Sequence, residues 1–277
     1  MIKKVAVFFN SKRENAFKFY LGAVKHILSR GIKVEKICVN KSCRGPVKAD
    51  LAISIGGDGT VLYAARHIIN ADIPLLSVNA GGLGFLSGVE PAGFEKIFDE
   101  IVKDKYRIIE RFFLDVKVRS VGRERRYISL NDCVIRARDP RAFSLDVYYN
   151  GVFLSKYFGD GLIISTPTGS TAYNLASQGP IIMPHTNVFS LTPICPHTLT
   201  HRPMILPNGG EIEIEILKSL KESSRIIISV DGQENFELRP GDKIKISRYP
   251  EILKSLVPRN FSYFEVLRKK LSWGERK

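Results

Sequence analysis

A chain of 277 residues and 31.1 kDa is long enough for two domains with a full core. Hydrophobic residues at 44% and charged residues at 25% exclude wholesale disorder, and no apolar run approaches the roughly eighteen residues of a membrane-spanning helix. The formal net charge of +14 favours an anionic partner (nucleic acid, an acidic membrane or a phosphorylated small molecule) without choosing among them.

Residues 2–9 form an apolar run suited to a buried parallel strand. The run turns polar at Asn10-Ser11-Lys12-Arg13 without a small-residue cleavage site, so a first strand is expected rather than a signal peptide, and the cytoplasm is the expected compartment. Phe17, Tyr20, Val24 and Ile27 recur at spacings of three, four and three, which predicts one face of a helix that Gly31 would stop. Ile32, Val34 and Ile37 alternate as a strand, and 40–48 is a polar loop. Leu51–Ile55 is another buried strand, ending in Gly56-Gly57-Asp58-Gly59-Thr60. A helical pattern resumes through Val61, Leu62, Ala65 and Ile68-Ile69. A strand at 74–78, the glycine-rich stretch 79–88 and a helix carrying Phe94, Ile97, Phe98 and Ile101 follow. Strands alternating with helices predict a doubly wound α/β domain, placed at residues 1–108.

The period then changes. Residues 113–118, 127–137, 143–149, 152–158 and 162–166 read as short β segments, with Asn150-Gly151 as a type I′ hairpin turn. Glu211–Ile216 alternates as a strand with one wet face, and 225–231 and 243–247 continue the series, with Pro240-Gly241-Asp242 as a turn. A β-rich domain is expected over 109–250, and the tail 251–277, mixed apolar and basic, as a helix packing back on the body.

Cys38, Cys43, Cys133 and Cys195 are too few and too scattered for a disulfide framework. No Cys-x-x-Cys, His-Glu-x-x-His or Gly-x-Ser-x-Gly element is present, which sets zinc, metalloprotease and serine-hydrolase chemistry aside. The sharpest local signal is Gly56–Thr60, where a buried strand meets a helix. Glycines there can turn several N–H groups onto one anion, and the helix N-terminus adds a favourable dipole. It is neither a P-loop nor a dinucleotide fingerprint, since no Gly-Lys-[Ser/Thr] follows and the glycine spacing differs. Asp58 among those glycines either caps the helix, takes a proton from an attacking hydroxyl, or positions a metal ion beside phosphates. The second signal is the tract from Asp160 to Asn174, where a strand runs into Thr166-Pro167-Thr168-Gly169-Ser170-Thr171-Ala172-Tyr173. It offers N–H groups, hydroxyls and an aromatic face, the groups that hold a ribose, phosphates and a stacked adenine.

These two segments, with Asn79–Leu86, Leu130-Asn131-Asp132, Pro193–Leu199 and Ser229–Gln233, resemble the signature segments of the NAD kinase family in the family's order. The Gly-Gly-Asp-Gly-Thr element alone is shared with lipid kinases of the diacylglycerol type and resembles one in phosphofructokinases, whereas the threonine-rich tract is far more specific. The resemblance implies an N-terminal α/β domain followed by a β-sandwich-like domain. It implies that Asp58 is the proton acceptor for the ribose 2′-hydroxyl, with Gly59 beside it. Asn131 and Asp132 would bind the adenosine ribose and base, and Asp160 would lie near the nicotinamide end. Residues 171–176 would line the adenine pocket, with Cys195 (by its backbone) and Gln233 as further contacts. The expected nucleotide-binding set is thus Gly56, Gly57, Gly59, Thr60, Phe85, Asn131, Asp132, Asp160, Thr168, Thr171, Ala172, Tyr173, Asn174, Leu175, Ala176, Cys195 and Gln233, with no protein metal ligands assigned. Many members of the family carry Asn-Glu where this chain has Asn131-Asp132, one methylene shorter with the charge kept.

The expected activity is therefore phosphoryl transfer from ATP or another donor to NAD, with a divalent cation, Mg²⁺ first, and a homodimer or homotetramer as the assembly. Two rivals are a lipid kinase and a non-catalytic NAD- or nucleic-acid-binding protein. The basic clusters at 117–126 and 268–277 do not interleave aromatics as a single-strand platform does, and neither a nucleic-acid nor a membrane partner is expected.

Overall fold

The computed structural model describes residues 2–39, 45–80, 84–86, 88–120, 122–139, 142–198, 200–217 and 225–274. The chain divides into two compact units, residues 1–111 with 251–277, and 112–250.

In the first unit, β1 (Lys4–Phe9), β2 (Lys33–Cys38), β3 (Leu51–Gly56) and β4 (Leu75–Asn79) are parallel and lie in the order β2-β1-β3-β4. α1 (Glu14–Ser29) joins β1 to β2, α2 (Asp58–Ile68) joins β3 to β4, and α3 (Phe94–Val102) follows β4. β1 is buried on both faces because helices cover both. Val5, Val7 and Phe9 pack with Tyr20 and Ile27 of α1 and with Phe94, Phe98 and Ile101 of α3. Phe8 points the other way, its ring 6.3 Å from those of Tyr63 and His67 on α2. Gly31, at φ 73°, closes α1 with its N–H on the Leu28 carbonyl, as the sequence expects. The connections leave β1 and β3 in opposite directions, so the order reverses between those two strands, where open α/β sheets bind their ligands.

β5 (Arg107–Ser120) carries the chain into the second unit and forms a hairpin with β6 (Arg123–Ser129). Then come β7 (Asp132–Ala137), β8 (Phe143–Tyr149), β9 (Val152–Gly159) and β10 (Gly161–Ser165), a single helical turn α4 (Tyr173–Ala176), and β11 (Val188–Ile194), β12 (Met204–Pro207), β13 (Ile212–Ile216), β14 (Ile226–Val230) and β15 (Glu234–Leu238). Six of these make an antiparallel sheet ordered β12-β11-β10-β7-β14-β15. β8 and β9 turn at Asn150 and Gly151, both at positive φ (51° and 76°), as a type I′ turn requires. β13 buries Ile212, Ile214 and Ile216 and turns its glutamates outward, the alternation expected from the sequence.

Two expectations are corrected. Residues 127–137 are not one strand: β6 ends at Ser129, and β7 begins at Asp132 in the six-stranded sheet. The tail is not one helix. β16 (Lys243–Val257) pairs antiparallel with β13 at its start, and its end at Ser255 and Leu256 pairs parallel with Leu75 and Leu76 of β4. Only after that does α5 (Tyr263–Leu271) begin, and it belongs to the first unit. Leu253, Leu256 and Val257 are buried, a cluster that short-range periodicity cannot distinguish from part of a helix. Strands β11, β12 and β15 carry too few alternating apolar residues to stand out, and the sequence did not predict them. Cys43 and the loop around it lie partly outside the described residues.

Phe98 is fully buried beneath β1. Phe98→Ala is expected to cost about 3–5 kcal/mol, read as a lower denaturant midpoint at unchanged slope.

Candidate active site

β3 runs out at Gly56 and α2 begins at Asp58, so the Gly56–Thr60 loop lies at the carboxyl end of the parallel sheet, beside the switch point. Gly57 is the N-cap of α2, with no side-chain cap. Asp58 is therefore not a helix cap. Its carboxylate accepts the backbone N–H groups of Phe85 at 2.9 Å and Leu86 at 3.1 Å. Gly84 permits the approach, because a Cβ there would overlap the carboxylate. The remainder of that glycine-rich stretch, 81–83 and 87, lies outside the described residues. Two N–H groups fix the plane of the carboxylate while its oxygens keep further acceptor positions. Thr60 is buried and packs against Gly56.

Two cations share this end of the first unit. Arg111, on β5, is buried, and desolvation pushes its guanidinium down to about 10 against the opposing pull of Tyr263 and Asp58. Lys270, on α5, is pushed down to about 8 by burial, again opposed by the Asp58 charge, and its Nζ lies 4.4 Å from the centroid of the Phe85 ring. A carboxylate able to take a proton and two cations able to meet an anion are thus gathered around one loop.

In the second unit, the turn from β14 to β15 holds Asp231 and Gly232 at positive φ (51° and 65°). It aims the Asp231 carboxylate at the break between β6 and β7. That carboxylate accepts the Ser129 hydroxyl at 2.5 Å and the N–H groups of Leu130, Asn131 and Asp132 at 3.1, 2.7 and 3.3 Å. From the other side, the Thr166 hydroxyl donates to the Leu130 carbonyl at 2.6 Å and the Thr166 N–H to the Asn131 carbonyl at 2.9 Å. Gly169 packs on the Asn131 backbone with no room for a Cβ. The structure therefore brings together Asn131, Asp132, the start of the threonine-rich tract and the 231–233 turn. Thr168 is buried, with its carbonyl taking the Thr171 hydroxyl at 3.4 Å, and Gln233 is exposed on the turn.

The second half of the tract divides. Asn174 is fully buried; its amide donates to the Ser170 and Pro180 carbonyls, and its oxygen accepts the Thr192 hydroxyl at 2.6 Å. Tyr173 and Ala176 face outward and, with Ile194, Cys195, His201 and Arg202, line a cleft of about 740 Å³. Thr171, Ala172 and Leu175 are half-buried between them. Asp160 donates its N–H to the Ile194 carbonyl at 3.0 Å, which places it next to Cys195. Asn131 and Gln233 do not line that cleft.

Residues 21–106 match the ATP-NAD kinase N-terminal domain and residues 130–256 the ATP-NAD kinase C-terminal domain. The NAD kinase of Sulfurimonas denitrificans is 38% identical over 254 residues, covering 91% of this chain and 85% of that protein. The chain belongs to the NAD kinase family. It is accordingly a kinase that phosphorylates NAD, and neither the lipid-kinase nor the non-catalytic reading is favoured. The fold agrees. Yeast NADH kinase, solved with NADH, superposes with a TM-score of 0.89 at 24% identity, covering 100% of this chain and 89% of that one. An NAD kinase from Archaeoglobus fulgidus, solved with ATP, superposes at 0.74 and 24% identity, with coverage of 97% and 98%. No helix among the described residues is long and apolar enough to cross a membrane.

Against that family background, three side chains escaped the sequence reading. Arg111 follows Glu110 in a strand that also carries Arg107, Asp115, Lys117 and Arg119, so nothing in the local sequence marks it as the buried charge. Lys270 was hidden in the basic run 268–277, and Asp231 reads locally as a turn residue. The fourth, Asp132, was found, but not its state. It is buried, no described group donates a hydrogen bond to its carboxylate, and desolvation followed by the neighbouring Asp231 charge raises it to about 7. Between about pH 4, where an unfolded aspartate titrates, and pH 7 the folded state holds the extra proton, so this group makes folding less favourable as pH rises through that window. A carbon-13 titration should place the Asp132 carboxyl midpoint near 7, and Asp231→Asn should lower it by removing the like charge.

Proposed function

We propose that Asp58 accepts the proton of the adenosine-ribose 2′-hydroxyl of NAD as that oxygen attacks the terminal phosphorus of ATP. The new O–P bond forms while the bond to the leaving ADP breaks, and the products are NADP, ADP and a proton passed through the carboxylate. The observation that carries the reading is the orientation of Asp58. It sits at the first turn of α2, at the sheet's switch point, yet is turned away from capping and held by two backbone N–H groups from another segment. A ribose hydroxyl has a pKa far above neutrality, so its proton leaves only as the O–P bond forms, and a carboxylate within about 3 Å suffices as acceptor. Alignment and charge neutralisation carry the rest of phosphoryl transfer, and the N–H groups around Gly57 and Gly59 suit the donor's phosphates.

The second unit is read as the holder of NAD. Asn131 and Asp132 would take the adenosine ribose and base, the Tyr173–Cys195 cleft the adenine, and Asp160 the nicotinamide side. A protonated Asp132 can donate to a ribose oxygen, and an ionised one can accept from a hydroxyl, so the buried carboxyl suits a partner of either kind. Among the described residues no group of three or more His, Cys, Asp or Glu could hold a metal ion. A divalent cation such as Mg²⁺ would neutralise the charge on the donor's phosphates. Assembly as a homodimer or homotetramer is carried by the family resemblance alone, and a cytoplasmic location by the reading of residues 2–13 as a first strand.

Purified protein with NAD, Mg²⁺ and a panel of donors, with NADP detected by a specific dehydrogenase, tests the reaction. Asp58→Asn is expected to lose at least about a hundredfold in kcat while calorimetry still shows NAD binding. Near-normal turnover in that variant would remove Asp58 from the mechanism.

A further inference from the structure

Lys270 lies in a run of basic residues at the end of α5, where solvated lysines are the ordinary expectation. Its Nζ is not solvated. The atom is buried and has no hydrogen-bond acceptor among the described residues. The neighbouring Lys269 differs: its ammonium pairs with Glu90. Lys270 feels the Asp58 charge but forms no ion pair with it, and its one close companion is the face of the Phe85 ring. A cation–π contact offsets only part of the cost of burying an ammonium, and the drop to about 8 records the remainder. Buried cations without acceptors are costly, and perturbed groups of this kind gather at functional sites.

The missing partner has a place to sit. Lys270 lines a cleft of about 230 Å³ together with Asn79, Gly84, Ser262 and Glu265. Gly84 is the residue packed against the Asp58 carboxylate, and Asn79, at the end of β4, also has a buried side-chain oxygen without a partner among the described residues. Sites for whole small molecules run from about 300 Å³ upward, so this recess suits a phosphoryl-sized group at the end of a longer ligand. The wanted ligand is an anion, adjacent to the proton acceptor, and small.

We propose that Lys270 is a catalytic residue of the transfer step, its Nζ contacting the oxygens of the phosphoryl group in flight beside Asp58. The inference rests on the role proposed for Asp58. The ammonium keeps its proton throughout. As the ribose oxygen bonds to phosphorus and the bond to ADP breaks, charge builds on the phosphoryl oxygens and the leaving oxygen, and a preset cation lowers that barrier more than it strengthens ground-state binding. Phe85 serves as the platform that holds the ammonium in line, and Gly84 both packs against the Asp58 carboxylate and lines the recess.

The test compares Lys270→Met, which keeps an apolar stem over Phe85, with Lys270→Arg, which keeps the charge, both in the full chain with NAD and ATP. Lys270→Met should lose about a hundredfold or more in kcat, in the range of a removed transition-state contact, with NAD affinity measured without donor within about twofold of the parent and the melting temperature little changed. Lys270→Arg should recover at least about tenfold of that loss. A kcat for Lys270→Met within about threefold of the parent overturns the proposal, as does a loss matched by equal losses in NAD affinity and melting temperature, which would make Lys270 structural. Asp58→Asn run in parallel separates the two ideas. If it collapses turnover while Lys270→Met does not, only the lysine's role fails; if it leaves turnover intact, the underlying reading fails and takes this one with it.

Discussion

The carboxyl end of the parallel sheet in the first unit depends on one constraint: a carboxylate held by two backbone N–H groups from a different loop. The hold of Phe85 and Leu86 on Asp58 ties the start of α2 to the segment after β4. It demands a residue without a side chain at Gly84, and it fixes the Asp58 carboxylate on a segment outside α2, whose N-cap is Gly57. Charge-assisted bonds of this kind are shorter and stronger than neutral ones, so the loop's shape and the acid's orientation are set together. In the role proposed for Asp58, a carboxylate fixed in this way would lose little entropy when a hydroxyl arrives, which is how positioning contributes to rate.

The second unit uses the same device for a different end. Asp231 gathers three consecutive N–H groups and a hydroxyl from 129–132, and this breaks what would otherwise be a continuous strand. The break turns Asn131 out of the sheet ladder and leaves Asp132 buried beside the captured charge. Of two neighbouring carboxylates, one takes all the local donors and the other none. Burial, followed by the neighbouring Asp231 charge, raises the Asp132 carboxyl to about 7. The threonine-rich tract meets the same few residues through Thr166 and Gly169, so the hydroxyls that seem in sequence to face a ligand are partly spent on holding the frame.

Asn174 shows that division most clearly. Its neighbours Tyr173 and Ala176 open onto a cleft, yet its own amide is bonded inside to Ser170, Pro180 and Thr192. A one-turn helix cannot present four successive side chains to one ligand, since successive positions point about 100° apart. A tract that is uniform in chemistry is therefore split by geometry into residues that face the cleft and residues that hold it.

Much was legible without coordinates. The alternation of apolar runs with helical spacing fixes β1 to β4 and α1 to α3, because each period reflects local burial on a known side. Asn150-Gly151, Gly31 and the Glu211–Ile216 alternation were readable for the same reason: each is decided by a residue's own backbone preference or by its immediate neighbours. The Gly56–Thr60 and 160–174 segments carried the family's pattern in order. What only the tertiary structure decided were the relations between distant positions: Asp231 holding 129–132, Leu256 pairing with Leu76, Asn174 turned inward, and Lys270 buried against Phe85 near Asp58. No local period encodes these, because whether a lysine, an aspartate or a short apolar run is buried depends on which remote segment closes over it.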